Sequence, residues 1–88
     1  MKLKIDKTFK KDFTKARQPN LNKKLLAVLE EIELAKKLSD IANIKKLRGT
    51  ADFYRIRLGD YRIGLIKEKN SITLIRFLHR KDIYKYFP

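Results

Sequence analysis

The stretch from Phe53 to Lys67, FYRIRLGDYRIGLIK, leaves the chain few ways to fold. Its two runs alternate with a period of two, the pattern of a half-buried strand rather than a helix. Gly59-Asp60 between them is a two-residue hairpin signal, because glycine tolerates the positive φ such turns require. In that hairpin Tyr54, Ile56 and Leu58 share a face, as do Tyr61, Ile63 and Leu65. Phe53, Arg55 and Arg57 take the opposite face, and Arg62 joins them from the returning strand. Like charges set across neighbouring strands destabilise the pair unless something anionic sits between them. The plainer reading is that these arginines solubilise an exposed sheet face or pair with Asp52 and Asp60.

The remaining segments supply what the hairpin needs to bury. Residues 72–79, ITLIRFLH, form a mostly apolar run suited to a central strand, and residues 2–5, KLKI, read as a short strand. From Thr8 the spacing turns helical, with Phe9, Phe13 and Ala16 on one stripe, Asp6 or Thr8 as cap, and QPN at 18–20 as the stop. A longer helix over 20–37, capped by Asn20 or Asn22, carries Leu21, Leu25, Val28, Leu29, Ile32 and Ala35 on a wide apolar face. Residues 39–52 show weak periodicity; Leu47 is a candidate anchor and Gly49 a turn. In the tail, RKDIYKYFP, Ile83 and Phe87 are candidate packing anchors. The expected fold is α+β, a small antiparallel-rich sheet with an N-terminal helical hairpin on one face. Its order is β-α-α-β-β-β plus a short C-terminal helix or tail, in one domain spanning 1–88.

Charge narrows the partners. Lys and Arg number 23 against 10 Asp and Glu, a net +13, and such self-repulsion disfavours the compact state unless a polyanion or acidic partner is near. Six of the seven arginines, all but Arg17, fall from position 48 onward. Arginine is the better residue for bidentate phosphate contact and for stacking on bases. The chain has no cysteine, so disulfides, thiolate nucleophiles and Cys-based zinc are excluded, and its lone histidine, His79, argues against a metal site. No cofactor is expected. No apolar run reaches signal-peptide or membrane-span length, so the expected location is cytoplasmic, and no segment has the amphipathic form that lies on a membrane.

IKKLRGTADFYRIRLGDYRIGLI followed by ITLIRFLHRKDIYKYF resembles the RelE/ParE superfamily of bacterial toxins over nearly the whole chain, with the second half the specific portion. The RelE branch consists of ribosome-dependent endoribonucleases that cleave messenger RNA; ParE members inhibit DNA gyrase. Both are neutralised by a co-expressed antitoxin. The resemblance implies catalytic roles for Arg55, Arg57, Arg62, His79 and Arg80, with Tyr84 and Tyr86 competing for the tyrosine that follows that site. Lys45, Lys46, Arg48, Lys81 and Tyr86 are candidate RNA contacts. The implied partners are an acidic antitoxin, messenger RNA and the 70S ribosome, with a higher-order toxin–antitoxin complex possible.

Metal-independent RNA cleavage through 2′-OH attack needs a base, an acid and cations for the developing phosphorane charge. The arginines can supply the cations, and His79, whose pKa is nearest neutrality, is the natural proton shuttle. That role requires the imidazole and the hairpin arginines to converge on one surface. The competing readings are a ParE-like gyrase inhibitor and a non-catalytic RNA-binding module.

Overall fold

The computed structural model describes residues 1–47, 49 and 52–88. Its elements run β1 (Lys2–Ile5), α1 (Lys7–Ala16), α2 (Asn22–Leu34), β2 (Ile44–Lys46), β3 (Phe53–Leu58), β4 (Tyr61–Glu68), β5 (Ser71–His79) and α3 (Ile83–Tyr86). The five strands form one sheet in the order β1-β5-β4-β3-β2. Strands β2 to β5 pair antiparallel in sequence, while β1 lies parallel to β5 with Leu3 beside Ile72. The α+β expectation therefore holds, and the helical hairpin carries the chain from β1 at one edge of the sheet to β2 at the other. None of the described helices is long and apolar enough to cross a membrane.

Local chemistry sets the helix ends. Asp6 caps α1, its Oδ2 accepting the Thr8 amide at 3.0 Å, and Arg17 ends the helix with φ 51°. Pro19 begins a 3₁₀ turn that leads directly into α2, so neither Asn20 nor Asn22 makes the side-chain cap expected of it. Helix α2 stops at Leu34 rather than near 37, since Ala35 is extended. Leu21, Leu25, Ile32 and Ala35 are buried, and Val28 and Leu29 pack against the same core. Opposite them lie Ile56, Leu58, Ile63, Leu65, Ile72 and Leu74, each at most 5% exposed. Phe77 closes this layer, edge-on to Phe9 and Phe13 at 5.8 and 4.9 Å.

Two departures from the expected pattern shape the far side of the sheet. Residues 44–46 form β2, a strand too short for periodicity to reveal; it exists because β3 offers an unpaired edge, Ile44 lying beside Ile56 and Lys46 beside Tyr54. The second departure is a β-bulge. Gly64 faces Arg76 but Leu65 faces Leu74, which leaves Ile75 as an extra residue in β5. The tail then folds back as α3, with Ile83 at 0% and Phe87 at 5% exposure beside Leu47, Phe53, Ile75 and Leu78. Full burial of such side chains contributes ~1.5–3 kcal/mol each. This second small core covers part of the face turned away from α1 and α2, and Arg55, Arg57 and Arg62 lie on the same face.

Candidate functional site

Register assembles the cationic face. Arg57 lies directly opposite Arg62, Arg55 opposite Gly64 on one side and Lys45 on the other. Because opposed residues share a face, β2, β3 and β4 each send cations to the same side. Like charges in direct opposition cost ~0.2–1 kcal/mol. Among the described residues the one ion pair is Arg76–Asp12 at 2.7 Å, so neither Asp52 nor Asp60 neutralises Arg55, Arg57 or Arg62.

These arginines are nonetheless held. Nη1 of Arg62 donates to the Gly59 and Tyr61 carbonyls, both at 2.9 Å. Asn43, with φ 62°, holds the other two. Its carbonyl accepts the Arg57 amide at 3.2 Å and Arg55 Nη1 at 3.1 Å, and its Oδ1 accepts Arg57 Nη2 at 3.3 Å. Asparagine suits that position because it enters the left-handed region at lower cost than most residues. Its backbone conformation is the only signal that could have marked it, and the sequence IANIKK does not display it. Nε of Arg55 is buried without a hydrogen-bond partner, a donor left unsatisfied at a cost of ~1–3 kcal/mol. The Arg62 guanidinium is pushed below the usual arginine pKa, first by burial, then by Arg55 and Arg57; Tyr84 opposes the shift and Arg80 adds to it. Arg62 stays protonated at any physiological pH. The direction of the shift records a repulsion that an anion on this face would relieve, and the same influences place Arg80 and Tyr84 within electrostatic reach of Arg62.

His79 is elsewhere, and the expectation that it converges with the arginines is corrected. It lies opposite Tyr61 in the β4–β5 register and meets the Tyr61 ring edge-on at 5.4 Å. Tyr61 in turn stacks on Phe77 at 4.9 Å, on the helix-packed side. The bulge is the physical reason. Unbroken alternation from Ile72 and Leu74 would send position 79 to the arginine face; one inserted residue sends Phe77 and His79 to the helix side and Leu78 to the other. His79 Nδ1 also accepts the Lys81 amide at 3.1 Å, so the neutral ring carries its proton on Nε2 and presents a donor, not a base. Tyr86, 61% exposed, lines the same depression as His79, away from Tyr84. Lys46 lies opposite Tyr54 and so faces the helix side. Lys81 is exposed in the turn before α3, and Arg48 falls outside the described residues.

Register thus gathers Arg55, Arg57 and Arg62, with Lys45 at the margin and Arg80 and Tyr84 within electrostatic reach. Sequence comparison gives this arrangement a lineage. A family model described as "ParE toxin of type II toxin-antitoxin system, parDE" matches residues 3–84. Toxin RelE3 of Methanocaldococcus jannaschii is 42% identical over 89 residues, covering 100% of both chains. The chain belongs to the RelE/ParE superfamily of type II toxins. The toxin fold agrees with solved members. A RelB-RelE antitoxin-toxin complex from Methanococcus jannaschii matches with TM-score 0.81 and 39% identity, over 97% of this chain and 99% of that one. An archaeal RelE-RelB complex from Pyrococcus horikoshii OT3 matches with TM-score 0.71 and 25% identity, over 90% of this chain and 93% of that one.

Proposed function

We propose that this toxin is a RelE-type, metal-independent endoribonuclease that cuts messenger RNA on the ribosome and is neutralised by an acidic antitoxin. The observation that carries the reading is the row of cations without acidic partners across three strands. In the reaction the ribose 2′-oxygen attacks the adjacent phosphorus as its proton passes to a water molecule. The P–O5′ bond breaks and O5′ takes up a proton, giving a cyclic 2′,3′-phosphate and a 5′-hydroxyl. Arg55, Arg57, Arg62 and Arg80 stabilise the extra phosphorane charge, each donor worth ~3–4 kcal/mol by deletion. The Tyr84 phenol lies within electrostatic reach of Arg62 and serves the leaving oxygen or stacks on a base. Lys45, Arg48 and Lys81 track phosphates. With cations as its main chemical resource, the face suits a substrate already held in line by the ribosome. Orientation of that kind supplies up to ~7–11 kcal/mol of a barrier.

An antitoxin is supported by the same repulsion, since an acidic segment laid on the face would relieve it, and by relatives solved as RelB-RelE complexes. The test is induction of the chain without antitoxin, followed by mapping of messenger ends. New 5′ ends inside translated regions and growth arrest are expected, with both lost in Arg62→Ala. Arrest with intact messenger would overturn the reading. It would support the second one, gyrase inhibition, which the ParE description of the matching family model favours; a supercoiling assay with purified protein separates them.

A further inference from the structure

Beyond the arginine face, the depression beside His79 has a composition of its own. It encloses about 420 Å³ where β5 runs past the end of β1, and Tyr61, His79, Asp82 and Tyr86 contribute to its lining. The nearby Asp12 is already committed: it accepts Arg76 Nε at 2.7 Å, Arg76 Nη2 at 3.3 Å and the Phe77 amide at 3.0 Å. The Asp82 carboxylate, by contrast, makes no cap bond to the helix it precedes, whose Lys85 and Tyr86 amides go to the Asp82 backbone carbonyl. The depression therefore offers an imidazole Nε2–H donor, a carboxylate acceptor, an exposed tyrosine ring, and the Lys15 ammonium at its border.

We infer that this depression is a second RNA-contact site that takes one unpaired nucleobase, with His79 and Asp82 reading its edge and Tyr86 covering its face. Every nucleobase presents a ring N–H or amino donor next to a ring nitrogen or carbonyl acceptor, and that pair complements Asp82 and the Nε2–H of His79. Stacking on an aromatic ring is available to any base. Lys15 lies where a flanking phosphate would need a counter-charge. The short helix α3 holds Tyr86 at the depression and Tyr84 within electrostatic reach of Arg62. A strand passing round α3 meets both. The inference rests on single-stranded RNA as the substrate and needs no cleavage.

The test is equilibrium binding of a short fluorescent RNA carrying a non-cleavable 2′-deoxy linkage and one abasic position, moved along the strand. At one register, outside the position seated on the arginines, loss of the base is expected to weaken binding at least about fivefold. The variants Asp82→Asn and Tyr86→Ala, both at surface-accessible positions, are expected to bind intact and abasic strands alike. Binding that is indifferent to abasic placement overturns the nucleobase site and leaves RNA recognition standing. Absence of binding by any strand overturns both. Base dependence that persists unchanged in both variants also overturns the assignment to this depression.

Discussion

Gly64 is where the account can be pressed hardest without touching a charged group. It is buried in β4 on the arginine side, and the Phe87 ring lies against it. A Cβ at this position would sit 2.7 Å from Phe87 Cδ2 and 2.9 Å from both Cε2 and Cγ. These are atoms of a ring that is 5% exposed and packed edge-on to Phe53 at 5.5 Å, so little room remains to yield. The Gly64 backbone does not have positive φ, so alanine there adds a packing conflict and no conformational strain. Overpacking of this kind costs ~1–3 kcal/mol. In a domain of this size that lowers the melting temperature by at least about 4 °C. The conflict is relieved by lifting α3, which takes Tyr84 away from Arg62, so RNA cleavage should fall along with stability. Phe87→Ala alone is expected to cost ~3–5 kcal/mol. In that background Gly64→Ala meets no ring, and the alanine should be neutral or slightly stabilising in a strand. The pair is therefore expected to be coupled by at least about 1 kcal/mol in a double-mutant cycle read by thermal or urea melts. Equal losses from Gly64→Ala in both backgrounds, or no loss in the parent, would refute the docking of α3 through this contact.

Other perturbations separate the remaining roles. Asn43→Gly keeps the carbonyl and the left-handed backbone and should reduce messenger cleavage modestly. Asn43→Val should reduce it further, because a β-branched residue resists φ 62° and both arginines lose their anchor; relative kcat/KM values check the order. His79→Ala is expected to leave kcat near that of the parent while raising KM, the pattern of lost binding rather than lost chemistry, measured in steady-state cleavage. Asp12→Ala removes the acceptor of Arg76 and of the Phe77 amide, and should cost ~1.5–3 kcal/mol in a denaturant melt. The Asp40 carboxyl is held below its usual pKa of 3.8, chiefly by the Lys36 and Lys37 amides. A depressed folded-state pKa stabilises above the unfolded value and is lost as pH falls through the folded one. The melting difference between parent and Asp40→Ala should thus be present at pH 7 and shrink below about pH 3.8.

Much of this architecture is legible in the residues because strong local signals agree with one another. The Gly59-Asp60 turn fixes the β3–β4 register, and register alone sends Arg55, Arg57 and Arg62 to one face. The apolar stripes of α1 and α2 are wide enough to name the core, and Ile83 and Phe87 anchor the tail as their size suggests. The misses have physical causes. Strand β2 is three residues long and owes its form to the edge of β3, a tertiary effect with no periodic trace. The bulge at Ile75 leaves no mark in ITLIRFLH, a nearly continuous apolar run in which a one-residue shift changes no hydrophobic count. It nevertheless moves His79 across the sheet. Asn43 acts through a carbonyl and a positive φ, neither of which a sequence displays. Tyr84 and Tyr86, equivalent in the sequence, are told apart by which side of α3 each occupies.

The most direct test of the arginine face as a cleavage site is a reconstituted reaction with purified toxin and ribosomes carrying a defined message, read by the position and chemistry of the new ends. The account predicts cutting that leaves a cyclic 2′,3′-phosphate and a 5′-hydroxyl, slowed at least about a hundredfold in Arg62→Ala with the fold intact. An uncut message, or a cut that Arg62→Ala makes as fast as the parent, would contradict it.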